Sequence, residues 1–473
     1  MTNDELQNIF VGKGDAYRQA YLDVMGDTLR RFCRQVRAAV DEVDPDIRVG
    51  FCAGFTSWDI EGVDPCELSH ILAGNNKPFL RLTGAPYWVA PHWNRFPGQR
   101  LHGVIEFARE QEVWCRGEGI EFFSEADSYP RPRYHIPARL LECFDAALTA
   151  SANIPVLKYF FDYFAPLGYE TGYARLHKKN ADLYAFLEKY FAEKKAVGIQ
   201  VYERKRKFAD QYLPEGLSEN EIMRSAMPAA ASMLTELGIP VTYEEGQTCA
   251  IAFGNHVRAA TTLPARMILD LPAALLLMER GVDTGIVSVE NPGKSVNVGA
   301  EVFADQRISI SHPSGRFYES CVLKENAKIL SWFETEGKRI PSAFTYQNGT
   351  TEFLVYLFDG YSVNESSGIF CSYGRQKQIL DFYSDFPVVR NCPFIYQLCK
   401  RNETETVAFF ANIFEDEMWD FAIELDRNYR LAECCGIRTE DCGICNEGNV
   451  SVMRVHSEVA PYGMFAIRLI NDK

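Results

Sequence analysis

The feature that most restricts what this chain can fold into is the order of patterns in its first 200 residues. Amphipathic helices alternate with very short apolar strands, and polar and aromatic residues gather in the loop after each strand. Over residues 16–42, Tyr21, Met25, Leu29, Phe32, Val36 and Val40 recur at steps of three and four, which predicts a helix ended by Asp44-Pro45. Helix patterns follow at 65–73, at 104–116, around Leu140, Leu141, Phe144 and Leu148, and at 173–192. Strand patterns lie between them at 47–53, 78–82, 119–125, 154–161 and 198–202. Such alternation predicts a parallel α/β sheet. In a β/α barrel the loops after the strands carry the site. Four good barrel strands are legible before residue 200, where a full barrel has eight. The run Arg204-Lys205-Arg206-Lys207 reads as a solvated linker face.

Two further regions follow. From about Leu217 a smaller α/β pattern appears, with a helix at 228–237 capped by Gly238 and strands at 239–243 and 265–270. Pro272 opens a further helix that Gly281 closes. Cys249 lacks the flanking glycines of a nucleophile elbow. From about Ser295 the chain becomes strand-rich. Residues 388–473 read as an antiparallel β-sandwich with strands at 407–413, 419–425, 450–454 and 465–470.

A net charge of -15 argues against a nucleic-acid partner, which wants a basic patch. The first six residues are polar and acidic, and the longest apolar run, 273–278, is far too short to span a bilayer, so the expectation is a cytoplasmic protein with no membrane partner. Cys434, Cys435, Cys442 and Cys445 leave two readings open: zinc-knuckle spacing, or a cysteine-rich hairpin of free thiols. His92, His102 and His135 show no ligand spacing. No metal and no cofactor are assigned.

The residues with most chemistry run from Ile120 to Tyr134. An apolar strand leads into Glu125, then Asp127, two prolines, Arg131, Arg133 and the tyrosines Tyr129 and Tyr134. Carboxylates at a strand end among aromatic and cationic groups suit a carbohydrate ligand. A retaining glycosidase needs a rigidly held carboxylate nucleophile and a second carboxyl group as acid/base. The alternative for Glu125 is a buried acid paired with Arg131 or Arg133. Trp58, Tyr87, Trp88 and Tyr129 are candidates to stack on sugar faces. Asp59, Arg81, Asp127, Arg131, Lys158 and Glu170 are candidate polar contacts, each also readable as a salt-bridge partner.

The order of parts resembles the β-galactosidases of glycoside hydrolase family 42 and their barrel-fold relatives. Leu269-Asp270-Leu271-Pro272-Ala273-Ala274-Leu275, running on to Glu279-Arg280-Gly281, is similar to a strand and helix of that family's trimerisation domain. Pro461-Tyr462-Gly463-Met464-Phe465-Ala466-Ile467-Arg468 is similar to its last strand. The resemblance implies an α/β fold in three parts. Residues 1–210 would be strands 5–8 of a (β/α)8 TIM-type barrel, 211–387 a flavodoxin-like, trimerisation-like domain, and 388–473 the β-sandwich. It places Glu125 at the nucleophile position, on strand 7. The acid/base, an Asn-Glu pair on strand 4, would lie upstream of Met1. The expected function is therefore a retaining β-glycosidase that is a fragment or a split enzyme, with a second chain supplying strands 1–4. The alternatives are a non-catalytic carbohydrate-binding protein and an oligomeric assembly protein. The resemblance also implies a homotrimer.

Overall fold

The computed structural model describes residues 9–12, 14, 16–89, 100–128, 136–152, 154–160, 166, 172–205, 207–213, 215, 222, 227–310, 317–361, 372–392, 394–448 and 450–471. The first part runs α1 (Ala16–Asp41), β1 (Phe51–Cys52), α2 (Pro65–Ala73), β2 (Phe79–Arg81), α3 (Leu101–Cys115), β3 (Glu121–Ala126), α4 (Ala138–Ala152), β4 (Val156–Lys158), α5 (Tyr173–Lys179) and α6 (Ala181–Phe191). Its sheet has the order β1-β2-β3-β4, and every pair is parallel. Asp64 starts α2 by accepting the Cys66 N–H, with Pro65 in the first turn. Alternation along each strand sorts the residues onto two faces. Leu80, Ser124 and Ala126 are buried, and Leu80 and Ala126 share a core with residues of α3 and α4. The positions between them, Arg81, Phe123 and Glu125, keep partial exposure, and at the two edge strands Cys52 and Leu157 are exposed.

The helix expected over 173–192 is divided at Asn180. Its backbone N–H bonds the Leu176 and His177 carbonyls, and its side chain donates to Glu142 Oε2 at 3.0 Å. A tertiary hydrogen bond sets this break, so helical periodicity does not reveal it.

The middle part adds β5 (Lys195–Val197), β6 (Ile199–Val201), α7 (Ala229–Glu236), β7 (Val241–Thr242), β8 (Cys249–Ala252), β9 (Arg266–Asp270), α8 (Leu271–Glu279), β10 (Ile286–Ser295), β11 (Ala300–Val302), β12 (Arg307–Ser309), β13 (Tyr318–Leu323), β14 (Lys328–Thr335), β15 (Lys338–Asn348), β16 (Thr351–Tyr356) and α9 (Tyr373–Phe382). One sheet has the order β12-β11-β14-β15-β16-β9-β8-β6-β7. Its run β7-β6-β8-β9-β16 is wholly parallel. Residues of α7 and α9 join the core on one face and residues of α8 that on the other, so the strands are apolar along their length. β10 and β13 form a separate antiparallel ribbon.

The last part holds β17 (Val388–Val389), β18 (Ile395–Arg401), β19 (Glu405–Asn412), β20 (Phe421–Leu425), β21 (Tyr429–Cys435), β22 (Cys442–Glu447), β23 (Val450–Val455) and β24 (Met464–Asn471). Its two antiparallel sheets, β17-β20-β23-β22 and β21-β24-β19-β18-β5, share a core that includes Phe410, Ile423, Met453 and Phe465. Leu398, Val407 and Phe409 belong instead to the core built with α3, α4 and α6. The residues read from sequence as the end of the first region thus serve two other sheets, β5 the five-stranded one and β6 the parallel one. Gly198 stands between them, where a Cβ would come within 2.3 Å of the Pro240 carbonyl oxygen.

Candidate active site

Glu125 sits near the carboxyl end of β3, and Arg81 closes the neighbouring β2. The Arg81 guanidinium Nη1 lies 2.6 Å from Glu125 Oε2, with side-chain exposures of 29% and 12%. A partly exposed carboxylate held in an ion pair at a strand end has a defined position and remains reachable. Tyr87 stands in the short turn Pro86–Val89 that follows β2. Burial pushes its hydroxyl above the ordinary value; the Glu125 and Asp127 carboxylates add to the rise, and Arg81 opposes it. Asp127 Oδ1 accepts the Ser128 N–H at 2.7 Å, which ties its side chain to the loop after β3. Glu125, Arg81, Tyr87 and Asp127 therefore form one site.

Other sequence candidates are placed elsewhere. Trp58 is 1% exposed and donates from Nε1 to Gln111 Oε1 at 2.8 Å, so its ring is core and not a stacking platform. Trp88 is buried against Phe55 and Phe107. Asp59 is buried, 3.4 Å from the Lys207 ammonium. Lys158 lies 2.6 Å from Asp145 and also contacts Glu142, both on α4, and it reaches Tyr184 on α6 at 3.2 Å. It ties β4 to the helix layer. Tyr129, Arg131 and Glu170 lie outside the described residues, as do Arg133, His92 and His135. His102 is core: it is sealed, 3.1 Å from Thr235 Oγ1, and burial lowers its pKa to about 3.

Lys207 overturns the reading of residues 204–207 as a solvated face, because its side chain is fully buried. Around it stand Asp59, Glu110 and Glu203, which all favour its charged form. Among the described residues neither Glu110 carboxyl oxygen has a hydrogen-bond partner, and burial pushes that carboxyl well up, with Glu203 adding to the rise. Glu203 Oε2 lies 2.7 Å from His256 Nδ1 and accepts the Tyr361 hydroxyl at 3.2 Å. These groups come from positions 59, 110, 203, 207, 256 and 361, so no local pattern marks them. Cys249 is sealed inside β8 and burial raises its thiol, which removes it as a nucleophile.

Among the described residues no group of three or more His, Cys, Asp or Glu side chains is placed to hold a metal ion. Cys442 and Cys445, the pair with knuckle spacing, are not brought together: Cys442 lies against Cys434, with sulfurs 3.9 Å apart, while Cys445 lies exposed beside Glu447. No described helix is long and apolar enough to cross a membrane.

The architecture is glycoside-hydrolase-like, as solved structures show. A β-galactosidase from Rahnella sp. R3 is 12% identical with a TM-score of 0.52, and the match covers 96% of this chain and 68% of that one. An α-L-fucosidase isoenzyme 2 from Paenibacillus thiaminolyticus is 10% identical with a TM-score of 0.53, covering 94% and 71%. A β-galactosidase from Halorubrum lacusprofundi is 10% identical with a TM-score of 0.51, covering 95% and 68%. No protein-family model matches the chain, and no curated protein matches it. The likeness to β-galactosidases read from the sequence holds at the level of the fold.

Proposed function

We propose that this chain is a retaining β-glycosidase of the β-galactosidase type, with Glu125 as nucleophile. The observation that carries the reading is the Arg81–Glu125 pair, 2.6 Å apart and open to solvent on one side, at the carboxyl ends of neighbouring parallel strands. A glycosidase nucleophile must be fixed beside the anomeric carbon, where it forms a glycosyl ester that water then cleaves. Arg81 holds the carboxylate, and Tyr87 and Asp127 offer hydroxyl and carboxylate contacts to a sugar. In this reading β1 to β4 are strands 5–8 of a β/α barrel. The parallel run β7-β6-β8-β9-β16, which follows the 2-1-3-4-5 order of flavodoxin-like folds, is a trimerisation-like domain, and the last part is a sandwich domain.

The exposed edge residues Cys52 and Leu157 fit a barrel sheet that a second chain completes with strands 1–4 and the acid/base carboxyl. The exposed Val287 and Val322 on the β10/β13 ribbon fit a homotrimer contact. Described cysteines are free thiols, which fits a cytoplasmic setting. The same open edges favour a second reading, a non-catalytic carbohydrate-binding or assembly protein.

The test is hydrolysis of a panel of activated aryl glycosides, whose leaving groups need little protonation. Turnover by the parent chain that vanishes in Glu125→Ala is the expected result. Turnover retained in Glu125→Ala overturns the nucleophile. Sugar binding by calorimetry with no hydrolysis by any variant selects the second reading.

A further inference from the structure

We propose that Cys434 and Cys442 are an oxidisable dithiol whose disulfide cross-links the two sheets of the C-terminal sandwich. Cys434 lies on β21, an edge strand of the five-stranded sheet, and pairs in register with Ile467. Cys442 lies on β22, an edge strand of the other sheet, opposite Val455. The intervening turn carries Gly436 at φ +87° and a short 3-10 segment, Thr439–Asp441, and it brings the two edges together. The sulfurs stand 3.9 Å apart, so bonding requires them to close by about 2 Å. Both cysteines are half-buried and so within reach of a small oxidant.

Two neighbours sharpen the assignment. Cys435 packs against the opposite core, with the helices, and Cys445 is exposed on the far side of Cys442, its sulfur 4.0 Å from Glu447. The pair Cys66 and Cys115 is just as close, at 3.7 Å, but both are sealed in the core. Proximity alone is therefore not what sets Cys434 and Cys442 apart; access is.

The order of attack follows from the hydrogen bond between the thiols. Cys434 donates to Cys442, which lowers the Cys442 thiol and raises the Cys434 one. The Cys442 thiolate attacks one sulfur of a small-molecule disulfide and expels one thiolate, leaving a mixed disulfide on Cys442. Cys434, losing its proton to the expelled thiolate, then attacks the Cys442 sulfur and expels the second thiolate, which takes from water the proton that Cys442 released on ionising. Two protein thiols and one small disulfide become one protein disulfide and two small thiols.

The test exposes the full chain to oxidised glutathione, blocks remaining thiols with iodoacetamide under denaturing conditions, and maps peptides by mass. The expected product has lost two hydrogens and links the peptides of Cys434 and Cys442, with Cys66 and Cys115 both alkylated. Cys434→Ser is expected to stop at a glutathione adduct on Cys442, Cys442→Ser to give no internal link, and Cys445→Ser to behave as the parent. Circular dichroism of each variant checks that it is folded. No loss of hydrogens in the parent overturns the proposal. So does a link through Cys435 or Cys445, or a link through Cys434 that survives in Cys442→Ser.

Discussion

Lys207 carries a charge into a site closed to water, and its ammonium is balanced by Asp59 with Glu110 and Glu203 nearby. Removing one member of a buried ion pair leaves the other charge unpaired, which costs about 3–5 kcal/mol. Lys207→Met is expected to destabilise the protein by that amount, and Asp59→Asn in the same chain to recover much of it. Denaturant unfolding of the two single variants and the double variant measures the coupling. If the single substitutions are neutral, the site is open to water and this account of it fails. Glu236 is a second buried acid, 3.9 Å from Arg100 Nε, with no hydrogen bond to either side-chain oxygen among the described residues. Burial pushes its carboxyl up to about 8 from 4.5, and Arg100 offsets this only in part. The fold favours the neutral acid. Its stabilising contribution is full below about 4.5 and is lost as the pH rises through 8. Glu236→Gln cannot ionise, so it is expected to gain on the parent by a few kcal/mol between about pH 5 and pH 9. A pH-independent difference between the two proteins would contradict the assignment. None of these residues was legible as buried. Lys207 follows three other basic residues, and a charge run has no local mark that one member turns inward.

At the scale of elements, the sequence patterns located the first helices and strands well, because each element has its own period. Residues 65–73 form a helix with those bounds, and Glu125 stands at a strand end as read. Which side of a strand faces a ligand is a matter of register, and in strands of three residues the sequence does not fix it. Lys158, readable from sequence either as a ligand contact or as a salt-bridge partner, is in the structure a salt-bridge partner. Leu157 is the exposed residue of β4, while Lys158 turns to Glu142, Asp145 and Tyr184 in the helix layer. Lys158→Met is expected to cost about 3–5 kcal/mol, since it leaves two acids beneath α4 unbalanced. It is expected to leave sugar binding by the folded fraction unchanged. Thermal unfolding and calorimetric titration separate these effects, and a binding loss without a stability loss would return Lys158 to the site. The strands at 395–401, 429–435 and 442–447 were also missed. Their alternation is interrupted by polar residues with partners outside the strand, Lys400 donating to the Phe191 carbonyl and Glu433 accepting from Tyr190, and by the bulge between Leu431 and Glu433.

At the scale of the whole molecule, the three parts divide more cleanly in sequence than in space. β5 leaves the first part to pair with β18, and after Gly198 the chain enters the parallel sheet as β6. One apolar core contains Phe107, Phe144 and Leu187 from the helices together with Leu398, Val407, Phe409 and Ala466 from the last part. The hydrogen bond from Tyr396 to Glu106, at 2.7 Å, crosses the same contact, and Glu106 also holds Arg109, whose guanidinium reaches the Val241 carbonyl. A chain ending at Pro387 would expose the helix faces that pack on β18, β19 and β24 and would leave Glu106 without one of its donors. Burying one large aliphatic or aromatic side chain is worth roughly 1.5–3 kcal/mol, and several are uncovered at once, against a total stability of about 5–15 kcal/mol. The truncated chain is therefore expected to be insoluble or molten, with dye-binding apolar surface and no cooperative thermal transition, while the full chain unfolds with its helical and sandwich signals coincident. A truncated chain that melts cooperatively with native-like near-ultraviolet dichroism would show that the first two parts fold as an independent unit. The shared core would then be a docking surface between finished domains.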